Sequence, residues 1–195
     1  MDLIVGLGNP GIRYRNTRHN IGFNIINALG RELGVSLKGR RFRSRNACTD
    51  FEGKELILLR PLTYMNLSGL SVKACAENYS ISSYNILIIH DDLDLPLGKV
   101  KAVEKGGSGG HRGVQSIFDH FGCRDFPRLK VGIGRPEYGE NIEDFVLSPF
   151  YPDERDILKE VISYSVQGCR LFISEGIKVA MNRINGNKIE TKGGN

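Results

Sequence analysis

Short apolar runs and amphipathic stretches alternate along this chain, and their spacing predicts alternating strands and helices. A short run of apolar, β-branched residues indicates a buried strand, whereas apolar residues three or four positions apart indicate one face of a helix. The first pattern predicts strands at residues 3–7, 43–50, 55–60, 85–90, 99–103 and 128–133. The second predicts helices at residues 20–33, 66–79, 113–121, 153–173 and 177–184.

The order of these elements favours one α/β domain. Strands that alternate with helices are typical of a central sheet covered by helices on both faces. The chain of 195 residues is long enough to bury one core, and no linker, repeat or low-complexity stretch divides it. We therefore predict a single-domain three-layer sandwich with a mixed, mostly parallel central sheet. Residues 1–184 form the domain in this prediction, and residues 185–195 form a polar tail that frays.

Composition and charge narrow the class of protein. The chain is 40% hydrophobic and 25% charged, with a net charge of +5, which is ordinary for a soluble globular protein and compatible with a polyanionic partner. Its apolar runs are too short to span a bilayer, and no secretory leader is recognisable, so we expect a cytoplasmic protein. The scattered cysteines form no C-x-x-C pair and are expected to be reduced; they are Cys48, Cys75, Cys123 and Cys169.

Basic residues concentrate in two places. Arg13, Arg15 and Arg18 surround a histidine, and a second group lies between residues 38 and 45. If residues 41–45 are extended, the two-residue period of a strand places Arg41, Arg43 and Arg45 on one face. Two interpretations stay open at this point: a solvated basic edge strand, or a surface that contacts phosphate.

The glycines at the start of the chain match the dinucleotide fingerprint G-x-G-x-x-G. They lie in Gly6-Leu7-Gly8-Asn9-Pro10-Gly11, directly after the first predicted strand. A dinucleotide site also needs a helix that begins within the motif and an acidic residue about twenty positions later. Here a proline and a polar stretch come before the helix, and residues 34–45 contain no carboxylate. The pattern therefore favours a sharp, exposed turn at the carboxyl end of a strand over a nicotinamide or flavin site.

A histidine, two carboxamides and an acid are expected to meet at this edge of the sheet. His19 begins the first helix, Asn9 lies in the glycine turn, and Asn66 follows a further strand. The acidic segment His90-Asp91-Asp92-Leu93-Asp94 ends another strand and supplies the acid. A carboxylate that accepts from one ring nitrogen makes the other nitrogen a better base, and carboxamides can hold a carbonyl oxygen. No serine or cysteine is placed as a nucleophile, so the set predicts attack by water. The alternative for His19 is a capping or packing role.

Two other stretches allow competing interpretations. His90, Asp91, Asp92 and Asp94 could ligate a divalent metal, although a metal hydrolase normally brings further ligands from other strands and this chain offers few. We therefore predict no metal. The glycine-rich stretch 106–113 precedes a helix, so it is either a mobile loop or a basic lid over a nucleic-acid substrate.

Taken in order, the motifs resemble those of the bacterial-type peptidyl-tRNA hydrolase family. The matching blocks are GLGNPG, TRHNIGF, PLTYMNLSG, HDDLDLPLG, GGSGGHRGVQSI and RLKVGIGRP, which extend from about residue 3 to residue 184. The resemblance implies a monomeric esterase with a mixed-sheet α/β fold that needs neither metal nor cofactor. It implies a peptidyl-tRNA substrate whose ester between the nascent peptide and the tRNA ribose is cleaved, so that the tRNA is recycled.

The resemblance also implies roles for individual residues. His19 matches the general base and Asp91 the acid that orients it. Asn9 matches the position that senses the blocked peptide amine, and Asn66 a carboxamide that holds the substrate. Tyr14 and Tyr64 match positions that line the tRNA and peptide site. Lys105 and Lys130 lie near the basic positions that contact phosphate in the family.

One position departs from the family pattern. Its glycine loop usually reads G-G-H-N-G, and here Arg112 stands in place of the asparagine. A guanidinium only donates and always carries charge. Arg112 could lower the pKa of His19, compete for Asp91, or point outward and bind tRNA phosphate; we favour the last. The chief alternative function is an RNA-binding protein of the same fold that has lost hydrolysis, and the intact His19, Asn9, Asn66 and Asp91 argue against it.

Overall fold

One central sheet of six strands organises the computed structural model of this chain, which describes residues 1–137, 139–186 and 189. The strands lie side by side in the order β2-β3-β1-β4-β6-β5. Their bounds are β1 Asp2–Gly6, β2 Ser44–Phe51, β3 Lys54–Pro61, β4 Ile86–Asp92, β5 Val100–Val103 and β6 Arg128–Gly132.

The sheet is mixed and mostly parallel, as predicted. Strand β1 pairs in parallel with β3 and β4, and β4 pairs in parallel with β6, whereas β2 and β5 run antiparallel at the two edges. The central strands are apolar on both faces because helices cover both sides. In β1, for example, Leu3 and Val5 are buried on one face and Ile4 on the other.

Helices form the two outer layers of the sandwich. Helices α1, α5 and α6 cover one face, where Ile25 and Val161 pack with Ile4. Helices α2 and α3 cover the other face, where Val72 and Ile117 pack with Leu3. The helices are α1 Ile21–Glu32, α2 Ser68–Asn78, α3 Arg112–Phe121, α4 Ile142–Leu147, α5 Arg155–Glu175 and α6 Ile177–Ile184.

Helix α4 was not predicted. Its six residues are too few to show a helical period, but the stretch carries a start signal. The side-chain oxygen of Asn141 accepts a hydrogen bond from the amide of Asp144 at 2.9 Å, and acidic residues occupy the first turn. This helix becomes one wall of the site described below.

The prediction that three arginines in residues 41–45 lie on one face of a strand is wrong. Phe42 and Arg43 have positive φ angles of 56° and 50°, so the backbone turns there and β2 begins only at Ser44. Arg41 instead reaches helix α2 and donates to the side-chain oxygen of Asn78 at 3.1 Å. Because the alternation of an extended strand is lost, the three side chains do not form one phosphate-contacting row.

The end of the domain is attached to the edge strand β5. The Asn185 side chain accepts from the Ala102 amide at 2.7 Å and donates to the Ala102 carbonyl at 3.0 Å. Beyond it, Gly186 and Ile189 are described, and the rest of the predicted tail lies outside the described residues.

The cysteines are free thiols, two of them buried. Among the helices of the described residues, none combines the length and the apolar character needed to cross a membrane.

Candidate active site

Several parallel strands end at one edge of the sheet, and the predicted site residues follow these ends. Strand β1 leads into the turn that carries Asn9, and β4 ends with Asp91 and Asp92. Strand β3 leads through residues 62–64 into the short 3-10 turn Met65–Leu67, which carries Asn66. A site at the carboxyl ends of the strands is the usual arrangement in an α/β sheet.

Asn9 is held rigidly in its turn. Its amide donates to the side-chain oxygen of Asn20 at 2.8 Å, and its carbonyl accepts from the Asn20 Nδ2 at 3.0 Å. The Met65 amide donates to Asn9 Oδ1 at 2.9 Å. Because its Oδ1 is occupied in this way, Asn9 can offer its Nδ2 amide group as a donor to a ligand in the neighbouring cleft.

His19 and Asp91 form the central pair of the site. The Nδ1 atom of His19 lies 2.9 Å from both carboxylate oxygens of Asp91, so Nδ1–H donates to the acid and Nε2 is left as the basic nitrogen. The side chains are 12% and 3% exposed, respectively. Burial disfavours the imidazolium form, but the charge and hydrogen bond of Asp91 outweigh burial and raise the pKa of His19.

Arg18 anchors the turn that carries His19. The Arg18 guanidinium is fully buried and donates to both carboxylate oxygens of Glu154, at 3.0 and 2.7 Å. It also stacks against the rings of Phe145 and Phe150, with its central carbon 4.4 and 4.8 Å from the two ring centres. Arg18 therefore stabilises the fold, and it is not available to an external phosphate.

His111 is a member of the site that the sequence analysis missed. It caps helix α3, because its Nδ1 accepts from the amides of Gly113 and Val114 at 3.2 and 3.3 Å. The ring proton must then be on Nε2, which donates to Asp91 Oδ1 at 3.0 Å. Burial alone would raise the pKa of Asp91, but the two histidines outweigh burial and hold it well below the usual range.

His90 packs behind this pair. Its Nδ1 donates to the backbone carbonyl of Asp91 at 2.7 Å, and its ring meets that of His111 edge to face at a centroid distance of 4.8 Å. Its Nε2 is buried without a hydrogen-bond partner in the described part of the chain. Burial, and next the neighbouring His111, lower the pKa of His90 well below 6.5, so the ring is neutral.

This neutral histidine predicts a loss of stability in mild acid. The unfolded chain binds a proton at His90 near its ordinary pKa and the folded chain does not, so stability is lost as pH falls below 6.5. Asparagine can keep the hydrogen bond to the Asp91 carbonyl without titrating. Between about pH 7.5 and about pH 5.5, the unfolding free energy of the parent should fall relative to that of His90→Asn by roughly 1.4 kcal/mol. Urea unfolding at both pH values measures this difference, and parallel curves would contradict it.

The proposed metal ligands in residues 90–94 do not converge. Asp92 pairs with Lys130, Asp94 with Arg135, and His90 donates into the backbone. Among the described residues, the ligand atoms of His19, Asp91 and His111 do lie within 4.8 Å of one another. They are joined by hydrogen bonds, however, and the His111 Nε2 that faces Asp91 carries its proton, whereas a metal ligand must offer a lone pair.

A cleft of about 620 Å³ brings the remaining predicted residues together with His19 and Asp91. Tyr64 is 53% exposed, and Arg112 pairs across the cleft with Glu143 of helix α4, at 3.3 and 3.4 Å. Arg112 therefore points outward and does not compete for Asp91, although its charge has a small lowering effect on the pKa of His19. The residues predicted from the sequence that line this cleft are Asn9, Tyr14, His19, Tyr64, Asn66, Asp91 and Arg112.

The two lysines of the sequence analysis are on β6 and in the loop after β5. Lys130 is on β6, directly opposite Lys101 of β5 and paired with Asp92. Lys105 is exposed in the loop that follows β5. Neither lysine is in the lining of the cleft.

Two glycines let the turn after β1 pack closely against helix α1. A Cβ atom at Gly8 would lie 2.8 Å from the Phe23 ring and 2.9 Å from the Asn20 Oδ1. A Cβ atom at Gly22 would lie 2.5 Å from the Leu7 carbonyl oxygen. The glycines at these positions therefore serve the packing of the turn against the helix, and the carboxylate that a nicotinamide site needs is absent from residues 34–45.

Comparison with known proteins agrees with this arrangement. Residues 3–192 match the sequence model of the family described as peptidyl-tRNA hydrolase. A peptidyl-tRNA hydrolase of Exiguobacterium sibiricum is 45% identical over 185 residues, which cover 95% of this chain and 100% of the relative. A crystal structure of peptidyl-tRNA hydrolase from Acinetobacter baumannii superposes with a TM-score of 0.90 at 38% identity and covers 96% of each chain. The chain described here belongs to the peptidyl-tRNA hydrolase family.

Proposed function

We propose that this protein hydrolyses the ester that joins a nascent peptide to the 3′-terminal ribose of tRNA, and so returns the tRNA to use. Membership of the family supports the substrate class. One observation carries the chemistry: His19 Nδ1 lies 2.9 Å from both oxygens of Asp91, which leaves Nε2 as a base beside an open cleft. We also propose that residues 1–184 act as one catalytic unit, and that the protein works as a cytoplasmic monomer without metal or cofactor.

In the proposed reaction, His19 Nε2 takes a proton from water as the water oxygen attacks the ester carbonyl. Asn9 Nδ2 and the exposed carboxamide of Asn66 donate to the carbonyl oxygen while it gains negative charge. The tetrahedral intermediate then breaks its bond to the ribose oxygen, which takes the proton back from His19. The products are tRNA with a free hydroxyl and a peptide carboxylic acid, which releases its proton to solvent at neutral pH.

Two further groups support this cycle. Asp91 stabilises the imidazolium that forms on His19, and it accepts a second hydrogen bond from His111 Nε2, which holds the carboxylate in place. Tyr14 and Tyr64 line the cleft and are proposed to contact the substrate.

The proposal is tested by incubation of the protein with peptidyl-tRNA and measurement of released tRNA, with and without a chelator. Release that continues in the chelator supports direct water attack. Release that stops in the chelator contradicts a metal-free mechanism. Binding of peptidyl-tRNA without release would favour the RNA-binding alternative.

The Arg112→Asn variant tests the outward-facing arginine. Arg112 is 68% exposed and its ion pair with Glu143 is a weak surface pair, so we predict that it exchanges this partner for a tRNA phosphate and that its loss makes the salt dependence of KM shallower. One lost contact reduces the slope of log affinity against log salt by roughly 0.7 to 0.9. Arg124→Asn, a loss of the same charge in the loop before β6, should leave the slope unchanged. An unchanged slope in Arg112→Asn together with a shifted pH–rate profile would contradict phosphate contact.

A further inference from the structure

A second cavity lies on the other side of the turn that carries Asn9. Its volume is about 680 Å³, and Asn9 lines both this cavity and the catalytic cleft. Three arginines line it, Arg15, Arg31 and Arg60, together with carboxamides on helix α1. We call this cavity the arginine basin. Because Asn9 lines both cavities, a substrate with two chemically different halves could place one half in each.

The arginine basin has an excess of positive charge. Its lining among the described residues includes no carboxylate, and neither Arg15 nor Arg31 has an ion pair in that part of the chain. Arg60 of β3 is directly opposite Arg45 of β2, and like charges in that position repel. This arrangement costs the folded protein stability unless an anion binds there.

Arg60 is oriented toward the carboxamides rather than toward an acid. Its central carbon lies 5.1 Å from the centre of the Phe23 ring, and its Nη1 reaches only a long contact of 3.5 Å with Asn27 Oδ1. Its Nε is buried with no hydrogen-bond partner among the described residues. The planar fork of a guanidinium suits bidentate contact with a phosphate, and the Arg60 side chain that lines the cavity carries this fork.

The catalytic cleft has no such excess of positive charge. Its lining includes the carboxylates of Asp91, Asp92, Asp94 and Glu143, and its two arginines, Arg112 and Arg135, are paired with Glu143 and Asp94. Tyrosines and the aliphatic side chains of helix α4 also line it. Carboxylates repel phosphates at short range, whereas an extended peptide carries no backbone charge and can pack on apolar walls. Charge therefore favours the peptide in the cleft and phosphates in the basin.

We propose that the arginine basin binds the backbone phosphates of the single-stranded 3′ end of the RNA substrate, beside the ester that is cleaved. This inference rests on the proposed function and assigns the nucleic-acid half of that substrate to a place. Two apolar side chains at the rim, Ile12 and Leu62, are 90% and 40% exposed, and they offer surfaces on which a nucleobase can pack.

The test compares Arg31→Gln with Arg124→Gln, which removes the same charge from an exposed arginine that does not line the basin. The probe is a fluorescent single-stranded tetraribonucleotide, titrated into each full-length protein at several salt concentrations. Arg31→Gln should weaken binding roughly fourfold near 0.15 M salt and reduce the salt slope by about 0.7, because one phosphate contact is lost. Arg15→Gln should behave in the same way. In turnover of peptidyl-tRNA, both variants should raise KM and leave kcat unchanged.

Other outcomes overturn the proposal. Equal affinities and slopes for Arg31→Gln, Arg124→Gln and the parent would mean that the basin does not hold RNA. Displacement of the tetraribonucleotide by inorganic phosphate at an equal concentration would mean a small-anion site instead. If the parent still releases tRNA from peptidyl-tRNA in those cases, the proposed function stands and only the basin assignment fails. If the parent releases no tRNA, the proposed function fails by itself.

Discussion

Replacement of His19 by alanine should lower kcat for peptidyl-tRNA by roughly 10³-fold, within the range that general acid–base catalysis contributes. The side chain supplies both the base for water and the acid for the leaving ribose oxygen, so both proton transfers lose their partner. KM should change little, because the arginine basin and the walls of the cleft are unchanged. The measurement is steady-state release of tRNA from peptidyl-tRNA.

His120→Ala is the matched control for this prediction. His120 is in the last turn of helix α3, where its Nδ1 donates to the Ser116 carbonyl at 2.7 Å, and it does not line the cleft. His120 is half-buried against helix α2 and away from the cleft, so its loss should leave kcat within about twofold of the parent. A kcat for His19→Ala close to that of His120→Ala would rule out His19 as the base.

Replacement of Asp91 by asparagine should lower kcat by roughly 10³- to 10⁴-fold, although the side chain keeps its size. In the parent, His19 and His111 both donate to the carboxylate. Both histidines lie within 3.0 Å of Oδ1, and His19 Nδ1 also lies 2.9 Å from Oδ2. An asparagine that keeps its oxygen at the Oδ1 position for His111 therefore places its amide group beside His19 Nδ1. His111 is fixed by its cap of helix α3, so His19 must accept at Nδ1 and carry its proton on Nε2. A ring in that tautomer cannot take a proton from water. Steady-state kcat at neutral pH measures the effect.

Asp94→Asn controls for the loss of a carboxylate in the same segment. Asp94 is 65% exposed and pairs with Arg135 at the surface, where such a pair contributes little to stability. This variant should retain kcat. Equal losses in Asp91→Asn and Asp94→Asn would mean that the acid cluster acts by general charge and not through His19.

The fold was largely predictable because its central strands are apolar on both faces. The apolar runs in β1, β3 and β4 predict strands that are buried on both faces of a sheet. The helical period of α1 and α5 predicts helices that cover one of these faces. The predicted starts of α2 and α5 were about two residues early, because the 3-10 turns Met65–Leu67 and Pro152–Glu154 precede these helices. Helix α4 escaped detection because six residues do not establish a period.

Site residues that follow the ends of strands could be predicted from the sequence. Residues whose role depends on tertiary hydrogen bonds could not. His19, Asn9 and Asp91 could be placed together because parallel strands end at one edge. His111 could not, since its role depends on the cap of α3 and on a contact with an acid twenty positions away. The predicted row of three arginines failed because two positive φ angles interrupt the extended backbone, which composition does not reveal.

The central claim is that His19, held by Asp91, takes the proton from the attacking water. The most direct test titrates the His19 ring by NMR, with its signal assigned by its absence from His19→Ala, and compares it with the pH dependence of kcat/KM. Asp91 raises the pKa of His19, so the neutral base forms only above the ordinary value of 6.5, and the rate should increase with pH through the same midpoint as the ring titration. A His19 midpoint below 6.5, or an acid limb of kcat/KM that does not coincide with the His19 titration, would contradict this account.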